Sequence, residues 1–262
     1  MSEDTQWKAG GISVAGFSHI EDDVPCQDAN AYKIREDGWI VAAVSDGAGS
    51  AKFSHIGAEA YVFAVVDRFA EDSGLPDQSE HEIVDGLKEV IDAATQDLVD
   101  SHAPDDEGEE VSRSDFAATI IVVIFNENGG AFYHVGDGAG AVLELGDLNH
   151  AIVSKPQNGE YANETYFLTM ENWQDYLRVT PFEKPFDTVL LMSDGVTPMA
   201  MTKGCEAPFG SFVQPVMNFL KSAEPESGQQ ALENTLTREQ VRTVTGDDKT
   251  LFWATTQSVN EE

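Results

Sequence analysis

Three segments of the sequence share one form, in which an apolar run is followed by one small residue and then by Asp-Gly. They end at Asp46-Gly47, Asp137-Gly138 and Asp194-Gly195. A carboxylate at the end of a buried strand lies at the rim of the core, where keeping it ionised is costly unless a cation is nearby. The glycine that follows lets the backbone approach closely, so that its carbonyl can also serve as a ligand. Oxygen ligands of this kind suit hard divalent cations such as Mg²⁺ and Mn²⁺.

Each Asp-Gly pair also has an ordinary alternative explanation, because this dipeptide is a common tight-turn signal. We interpret Asp137-Gly138 as a hairpin turn, since strand-like residues lie on both sides of it. Asp46-Gly47 and Asp194-Gly195 do not lead directly into a returning strand. For these two pairs we predict metal binding.

Further acidic residues precede predicted strands, namely Asp28, Asp115 and the pair Asp247-Asp248. Taken singly, each is explained by a turn or a helix cap. Taken with the two predicted metal-binding Asp-Gly pairs, they place carboxylates at five strand ends, and no His or Cys pairing accompanies them. This pattern favours an oxygen-ligated magnesium or manganese centre over a zinc site.

Strands must bring these acids together, and strand signals dominate the sequence. Eight short segments are β-branched or aromatic and are bounded by Gly, Asp or Asn, at residues 11–17, 29–34, 39–44, 116–125, 131–135, 139–145, 188–192 and 249–254. Gaps of hairpin length at 126–130 and 136–138 predict that much of the sheet is antiparallel.

Helical patterns lie between the third and fourth strands and again near residues 209–220 and 228–242. The first predicted helix has Ser54 as its N-cap and a buried face formed by Ile56, Ala60, Phe63 and Ala64. The acidic stretch at about 71–110 predicts a second helix, with a solvated loop at 104–108. Its apolar stripe consists of Ile83, Leu87, Val90, Ile91, Ala94 and Leu98.

Strands grouped together and helices grouped together predict an α+β fold of two sheets with helices outside them. No linker, internal repeat or low-complexity tract divides the 262 residues, so we predict a single domain over residues 1–262.

The charge balance restricts the partners. The chain has 15 Lys+Arg against 47 Asp+Glu, a formal net charge of −32, which argues against nucleic acid and anionic membranes because both are bound through basic residues. The two cysteines cannot build a disulfide framework, and neither a signal peptide nor a membrane span is recognisable. We therefore expect a cytoplasmic protein. A high-salt cytoplasm or a generally acidic proteome would each explain the acidity.

Six motifs, in this order and spacing, resemble the metal-dependent type 2C protein phosphatases (the PPM family), most closely their compact bacterial branch. The motifs lie at 25–29, 44–49, 115–119, 134–137, 191–195 and 246–250, and residues 161–169 resemble a further segment of that branch. The similarity runs from about residue 11 to residue 254. It implies a four-layer α-β-β-α sandwich of two mainly antiparallel sheets, with a two-metal site at one end.

The resemblance also implies roles for individual residues. Asp46 would bridge two ions of Mn²⁺ or Mg²⁺, Asp194 and Asp247 would complete the first ion site, and the carbonyl of Gly47 would bind the second ion. Asp28 would hold a metal-bound water.

A third, weaker ion is implied at Asp115, which would bind it together with Asp194.

The sequence departs from the family pattern where the substrate phosphate is held. Many members carry an Arg shortly before the position of Asp28, but residues 18–23 contain none, and His19 or Lys52 could take its place.

The activity implied by the resemblance is hydrolysis of phosphoserine and phosphothreonine in proteins by a monomeric enzyme. Water activated by two metals would attack phosphorus in line, without a phosphoenzyme. The missing Arg keeps a second hypothesis open, a catalytically weak phosphoprotein-binding signalling module that retains the fold.

Overall fold

The structure is a computed structural model of the chain, and it describes residues 6–103, 110–158 and 165–257. The loop predicted at 104–108 lies outside the described residues. Within the described ranges, no helix combines the length and the apolar character that crossing a membrane requires.

Ten strands are present in these ranges: β1 (Trp7–Val14), β2 (Asp28–Ile34), β3 (Ile40–Asp46), β4 (Ile120–Asn126), β5 (Gly129–Val135), β6 (Ala139–Glu144), β7 (Asp147–Ser154), β8 (Arg178–Glu183), β9 (Thr188–Met192) and β10 (Lys249–Thr256). The α-helices are α1 (Phe17–Asp22), α2 (Ser54–Ala70), α3 (Glu80–Ser101), α4 (Thr197–Ala200), α5 (Gly210–Ser222), α6 (Pro225–Leu236) and α7 (Glu239–Arg242). Short 3-10 helices occupy Leu75–Asp77, Arg113–Phe116, Trp173–Tyr176 and Lys203–Cys205.

The strands form two five-stranded sheets in which every pairing is antiparallel. One sheet has the order β1-β10-β9-β6-β7 and the other has the order β2-β3-β4-β5-β8. The helices α2 and α3 pack on the second sheet, whereas α5 and α6 pack on the first. The predicted α+β fold and its four-layer α-β-β-α sandwich are therefore confirmed.

The strand β3 shows why its sequence is continuously apolar rather than alternating. Val41 and Ala43 face the helices, whereas Ile40, Ala42 and Val44 face the opposite sheet. Since both faces of the strand are covered, every residue of β3 before Asp46 is buried. The same burial on both sides makes the end of β3 a rigid support for Asp46.

Two sequence expectations about the strands have opposite outcomes. The hairpin predicted at residues 126–130 is confirmed, because β4 and β5 pair directly. The hairpin predicted at residues 136–138 is wrong, because β5 and β6 belong to different sheets. Residues 136–138 instead carry the chain from one sheet to the other.

Some element boundaries and two whole strands also differ from the sequence expectations. The strand expected at 11–17 ends at Val14, and Phe17 begins α1. The strand expected at 116–125 starts only at Ile120, after a 3-10 turn. The strands β7 and β8 were not predicted, because each is a sheet-edge strand with mixed polar and apolar residues.

The orientation predicted for α2 is wrong, although the helix itself is confirmed. Phe53 is the N-cap, without a side-chain capping bond, and Ser54 is a buried first residue. Phe63, expected in the core, is 49% exposed. The buried face instead begins at Gly57 and Ala58, and Gly57 lets the helix approach the turn containing Phe116 closely.

The prediction for α3 is largely confirmed. Ser79 and Glu82 form a capping box that satisfies orphan backbone donors at its start. Ile83, Leu87 and Leu98 are buried, so the charged residues of this helix form its outer face.

Candidate metal centre

A cavity of about 190 Å³ lies at one end of the sandwich. Five aspartates contribute to its lining: Asp46, Asp137, Asp194, Asp247 and Asp248. They come from the end of β3, the crossing after β5, the end of β9 and the start of β10. Both sheets therefore place acidic residues at the same end of the sandwich.

Three of these aspartates form the tightest group. Asp46, Asp137 and Asp194 each offer a carboxylate oxygen, and the three atoms lie within 4.8 Å of one another. Asp137 is here because the residues after β5 cross between the sheets instead of turning back. The sequence interpretation missed it, although the strand–small–Asp–Gly form that it shares with the other two was the available signal.

Electrostatics oppose full ionisation of this group. Burial, together with the charges of Asp137 and Asp247, raises the pKa of Asp194 to about 6. Burial also raises the pKa of Asp46 well above its ordinary value, with further contributions from Asp28 and Asp194. One oxygen of Asp194, Oδ1, is buried without a hydrogen-bond partner. A divalent cation would stabilise the ionised form of these clustered carboxylates and would provide a partner for the unsatisfied oxygen.

Asp28 lies on the strand next to Asp46, beside the group of three aspartates. It is the cross-strand partner of Asp46 in the β2–β3 pair, and Ser193 Oγ donates to its Oδ2 at 2.6 Å. Its Oδ1 is buried without a partner. Burial raises the pKa of Asp28 to about 8, against the lowering effect of the Ser193 bond and with an added contribution from Asp248.

The neighbours Asp247 and Asp248 differ in what they can bind. Asp248 is 2% exposed, and its carboxylate accepts from Gly16 N (2.6 Å), Gln27 N (2.5 Å) and His19 Nδ1 (2.8 Å). The oxygens of Asp248 are thus used within the protein. Asp247 is exposed and receives a bond from Asp248 N at 2.9 Å, so it retains the capacity to bind an ion.

Close backbone packing joins β9 to this acidic turn. A Cβ built at Gly195 would lie 1.8 Å from the carbonyl oxygen of Asp248, so no larger residue fits after Asp194 without displacing the turn. Lys249 donates to the backbone carbonyl of Asp247 at 2.5 Å, so its ammonium group is used by the main chain. No Lys or Arg is among the described residues that line the cavity.

The other residues selected from the sequence are placed differently. His19 lines the cavity, but Lys52 and Asp115 do not. Asp115 lies in the turn Arg113–Phe116, where its Oδ2 accepts from Ser112 N (2.8 Å) and Ser112 Oγ (3.1 Å). Lys52 Nζ lies 5.2 Å from the ring centroid of Phe53.

Two threonines at the site were not selected from the sequence. Thr119 lines the cavity, and Thr165 also lines it and donates its hydroxyl to Asp137 Oδ2. Thr165 belongs to the segment 161–169, whose first residues, 161–164, lie outside the described ranges. A lone hydroxyl carries no spacing signal, so only the fold could reveal these contacts.

Comparisons with known sequences agree with this geometry. Residues 15–237 match the model of the family described as Protein phosphatase 2C. The serine/threonine-protein phosphatase 3 of Escherichia coli (strain K12) is 30% identical over 258 residues, which cover 95% of this chain and 99% of that protein.

Solved structures share the fold at low sequence identity. The serine/threonine phosphatase Stp1 from Staphylococcus aureus has a TM-score of 0.65 and 14% identity, covering 98% of each chain. The catalytic domain of the phosphatase PstP, in complex with two manganese ions, has a TM-score of 0.62 and 15% identity, covering 96% of this chain and 99% of its own. PppA of Pseudomonas aeruginosa has a TM-score of 0.63 and 16% identity, covering 97% and 99%.

Proposed function

Because the chain belongs to the protein phosphatase 2C family, we propose that it is a phosphatase that hydrolyses phosphoserine and phosphothreonine in proteins with water activated by two divalent cations. The observation that carries this proposal is the convergence of three carboxylate oxygens within 4.8 Å in one cavity. Oxygen-only ligation suits Mn²⁺ or Mg²⁺.

The proposed ligands are those that the family resemblance implies, and it supports them that Asp46, Gly47, Asp194 and Asp247 all line the cavity. Asp46 would be shared by both ions, Asp194 and Asp247 would hold one of them, and the Gly47 carbonyl would hold the other. Asp28, buried behind Asp46, would fix a water. When bound, the two cations would lower the pKa of a shared water and neutralise charge on the phosphoryl oxygens.

The surroundings also support hydrolysis without a phosphoenzyme, because the serines that directly precede Asp46 and Asp194 in the sequence are already hydrogen-bonded. Ser45 Oγ donates to the carbonyl of Thr119 at 2.5 Å, and Ser193 Oγ donates to Asp28 at 2.6 Å. Both side chains are buried. Neither hydroxyl is therefore presented to a substrate as a nucleophile.

For the substrate phosphate, His19 is the better of the two candidates. It lines the cavity, and Asp248 holds its Nδ1 at 2.8 Å, which fixes the ring. In its protonated form the other ring nitrogen would donate to a phosphoryl oxygen. Lys52, which does not line the cavity, would contact at most a more distant part of a protein substrate.

The position of a third ion can be tested with two matched variants. We propose Asp137 as the partner of Asp194 at this ion, because its carboxylate lies in the three-carboxylate group, whereas Asp115 is not among the residues that line the cavity. We therefore expect Asp137→Asn to weaken binding of the third ion and to lower kcat by about 10-fold to 100-fold, as changes at or beside metal ligands commonly do. Asp115→Asn affects a carboxylate that bonds to Ser112, and we expect a smaller loss. Steady-state kinetics over a Mn²⁺ titration measure both effects. A larger loss for Asp115→Asn would instead support the assignment of this ion to Asp115, as drawn from the family resemblance.

The proposed activity is tested by hydrolysis of p-nitrophenyl phosphate and of a phosphothreonine peptide by the purified full chain. We expect turnover that requires Mn²⁺ or Mg²⁺ and is abolished by a chelator. Acid quenching during turnover of ³²P-labelled peptide should trap no labelled protein. Tight phosphopeptide binding without turnover would instead support the phosphoprotein-binding module. The absence of both binding and turnover would refute both hypotheses.

A further inference from the structure

The motif at residues 115–119 reaches the metal centre through its last residue. Thr119 lies immediately before β4, is 6% exposed and lines the cavity. No ligand role follows from the sequence for this residue.

Thr119 holds the backbone of Asp46 from both sides. The N–H of Asp46 donates to Thr119 Oγ1 at 3.1 Å, and the N–H of Thr119 donates to the carbonyl of Asp46 at 2.8 Å. In addition, the carbonyl of Thr119 accepts from Ser45 Oγ at 2.5 Å. The residue that ends β3 is thus fixed by the residue that immediately precedes the neighbouring strand β4. Only one of these bonds depends on the Thr119 side chain.

The same side chain contacts the backbone that carries Asp137. A Cβ built at Gly136 would lie 2.5 Å from Thr119 Cβ and 2.6 Å from its Cγ2. Gly136 also has a φ of +121°, which L side chains rarely adopt. The methyl group of Thr119 therefore packs against the crossing between the sheets, one residue before Asp137.

We propose that Thr119 is a positioning residue of the metal centre, whose hydroxyl fixes Asp46 and whose methyl group fixes the approach of Asp137. The proposal rests on the proposed function, since it assumes that these two carboxylates bind cations. Substituting a group that orients a metal ligand without touching the metal commonly lowers metal affinity by about 10-fold to 100-fold. Thr119 belongs to this class because it bonds to one acidic residue and packs beside another.

The test separates positioning from ordinary packing with three substitutions. Thr119→Val keeps both branches of the side chain but removes the hydroxyl oxygen that accepts from Asp46. Thr119→Ser keeps that oxygen and removes the methyl group that packs on Gly136. Thr95→Val is the matched control, because Thr95 is 1% exposed and its hydroxyl bonds to Ile91 and Tyr61 on α3 and α2, outside the cavity.

The primary readout is Mn²⁺ binding to the metal-free full chain by isothermal titration calorimetry, with thermal unfolding in chelator as the second. We expect Thr119→Val to raise the Mn²⁺ dissociation constant about tenfold, Thr119→Ser to raise it less, and Thr95→Val to leave it within about twofold while lowering Tm. An unchanged dissociation constant in Thr119→Val, with a Tm loss like that of Thr95→Val, would overturn the proposal. If the unsubstituted chain bound no Mn²⁺, the proposed function would fail as well, so the two failures are distinguishable.

Discussion

The Asp46→Asn variant is expected to lose at least about a thousandfold in kcat for a phosphothreonine peptide. Lewis-acid stabilisation of a phosphoryl group supplies several kcal/mol, and each 1.36 kcal/mol changes the rate about tenfold. Asn has nearly the same size as Asp but lacks the charge with which Asp46 would be shared between two cations. The measurement is steady-state hydrolysis at saturating Mn²⁺.

The same variant should be more stable than the unsubstituted protein when both are free of metal. Asp28 and Asp194 repel the charge of Asp46, and the amide removes that repulsion. Higher Tm in chelator together with lost activity is the signature of a site whose acids are held together for function. Asp67→Asn is the control, because Asp67 forms a surface ion pair with Lys33 that contributes little to stability. A variant at Asp46 that kept a tenth of the activity, or that unfolded at a lower temperature in chelator, would contradict the proposed role.

The fold was largely predictable because most strands carry a strong local signal. The strand β9 is apolar from Val189 to Met192 and bounded by polar residues, and its limits coincide with the predicted ones. The strands β7 and β8 lack this pattern, since each pairs at a sheet edge and leaves part of its surface to solvent. For α2 the helical period was recognised but the buried face was not, because tertiary contacts with β2, β3 and the turn at Phe116 select that face.

The site was predictable where an acid ends or precedes a strand, and it was misread where topology decides the outcome. Asp46 and Asp194 were selected because no strand returns directly after them. Asp137 has the same local form, but short spacing to the next strand made a hairpin the simpler interpretation. Only the pairing of β6 with β9 shows that the chain crosses to the other sheet there. The hydrogen bonds of Asp248 likewise join segments far apart in sequence.

Stability of the metal-free protein should fall as pH rises from about 5 to 7.5. The pKa of Asp194 is raised from its ordinary value of 3.8 to about 6, so the folded state binds more protons than the unfolded state in this range. The stability that depends on this proton is present at low pH and is lost as pH rises through 6. For Asp194 alone the loss between pH 5 and 7.5 is on the order of 1 kcal/mol, because more than half of the total of about 3 kcal/mol is already lost below pH 5. This corresponds to a Tm decrease of about 2–4 °C. Asp28, with a pKa of about 8, extends the decline to higher pH.

Mn²⁺ should reverse this dependence, because a bound cation takes the place of the protons that hold the acids together. The Tm increase on adding Mn²⁺ is therefore expected to be larger at pH 7.5 than at pH 5, where protons compete for the same oxygens. Scanning calorimetry in about 0.5 M NaCl measures this while screening the repulsion among surface carboxylates. In Asp194→Asn both the pH slope and the Mn²⁺ effect should shrink. The same carboxylates must account for both the pH slope and the Mn²⁺ stabilisation. Equal Mn²⁺ stabilisation at both pH values, or an unchanged pH slope in Asp194→Asn, would therefore show that the buried acids do not control the pH response.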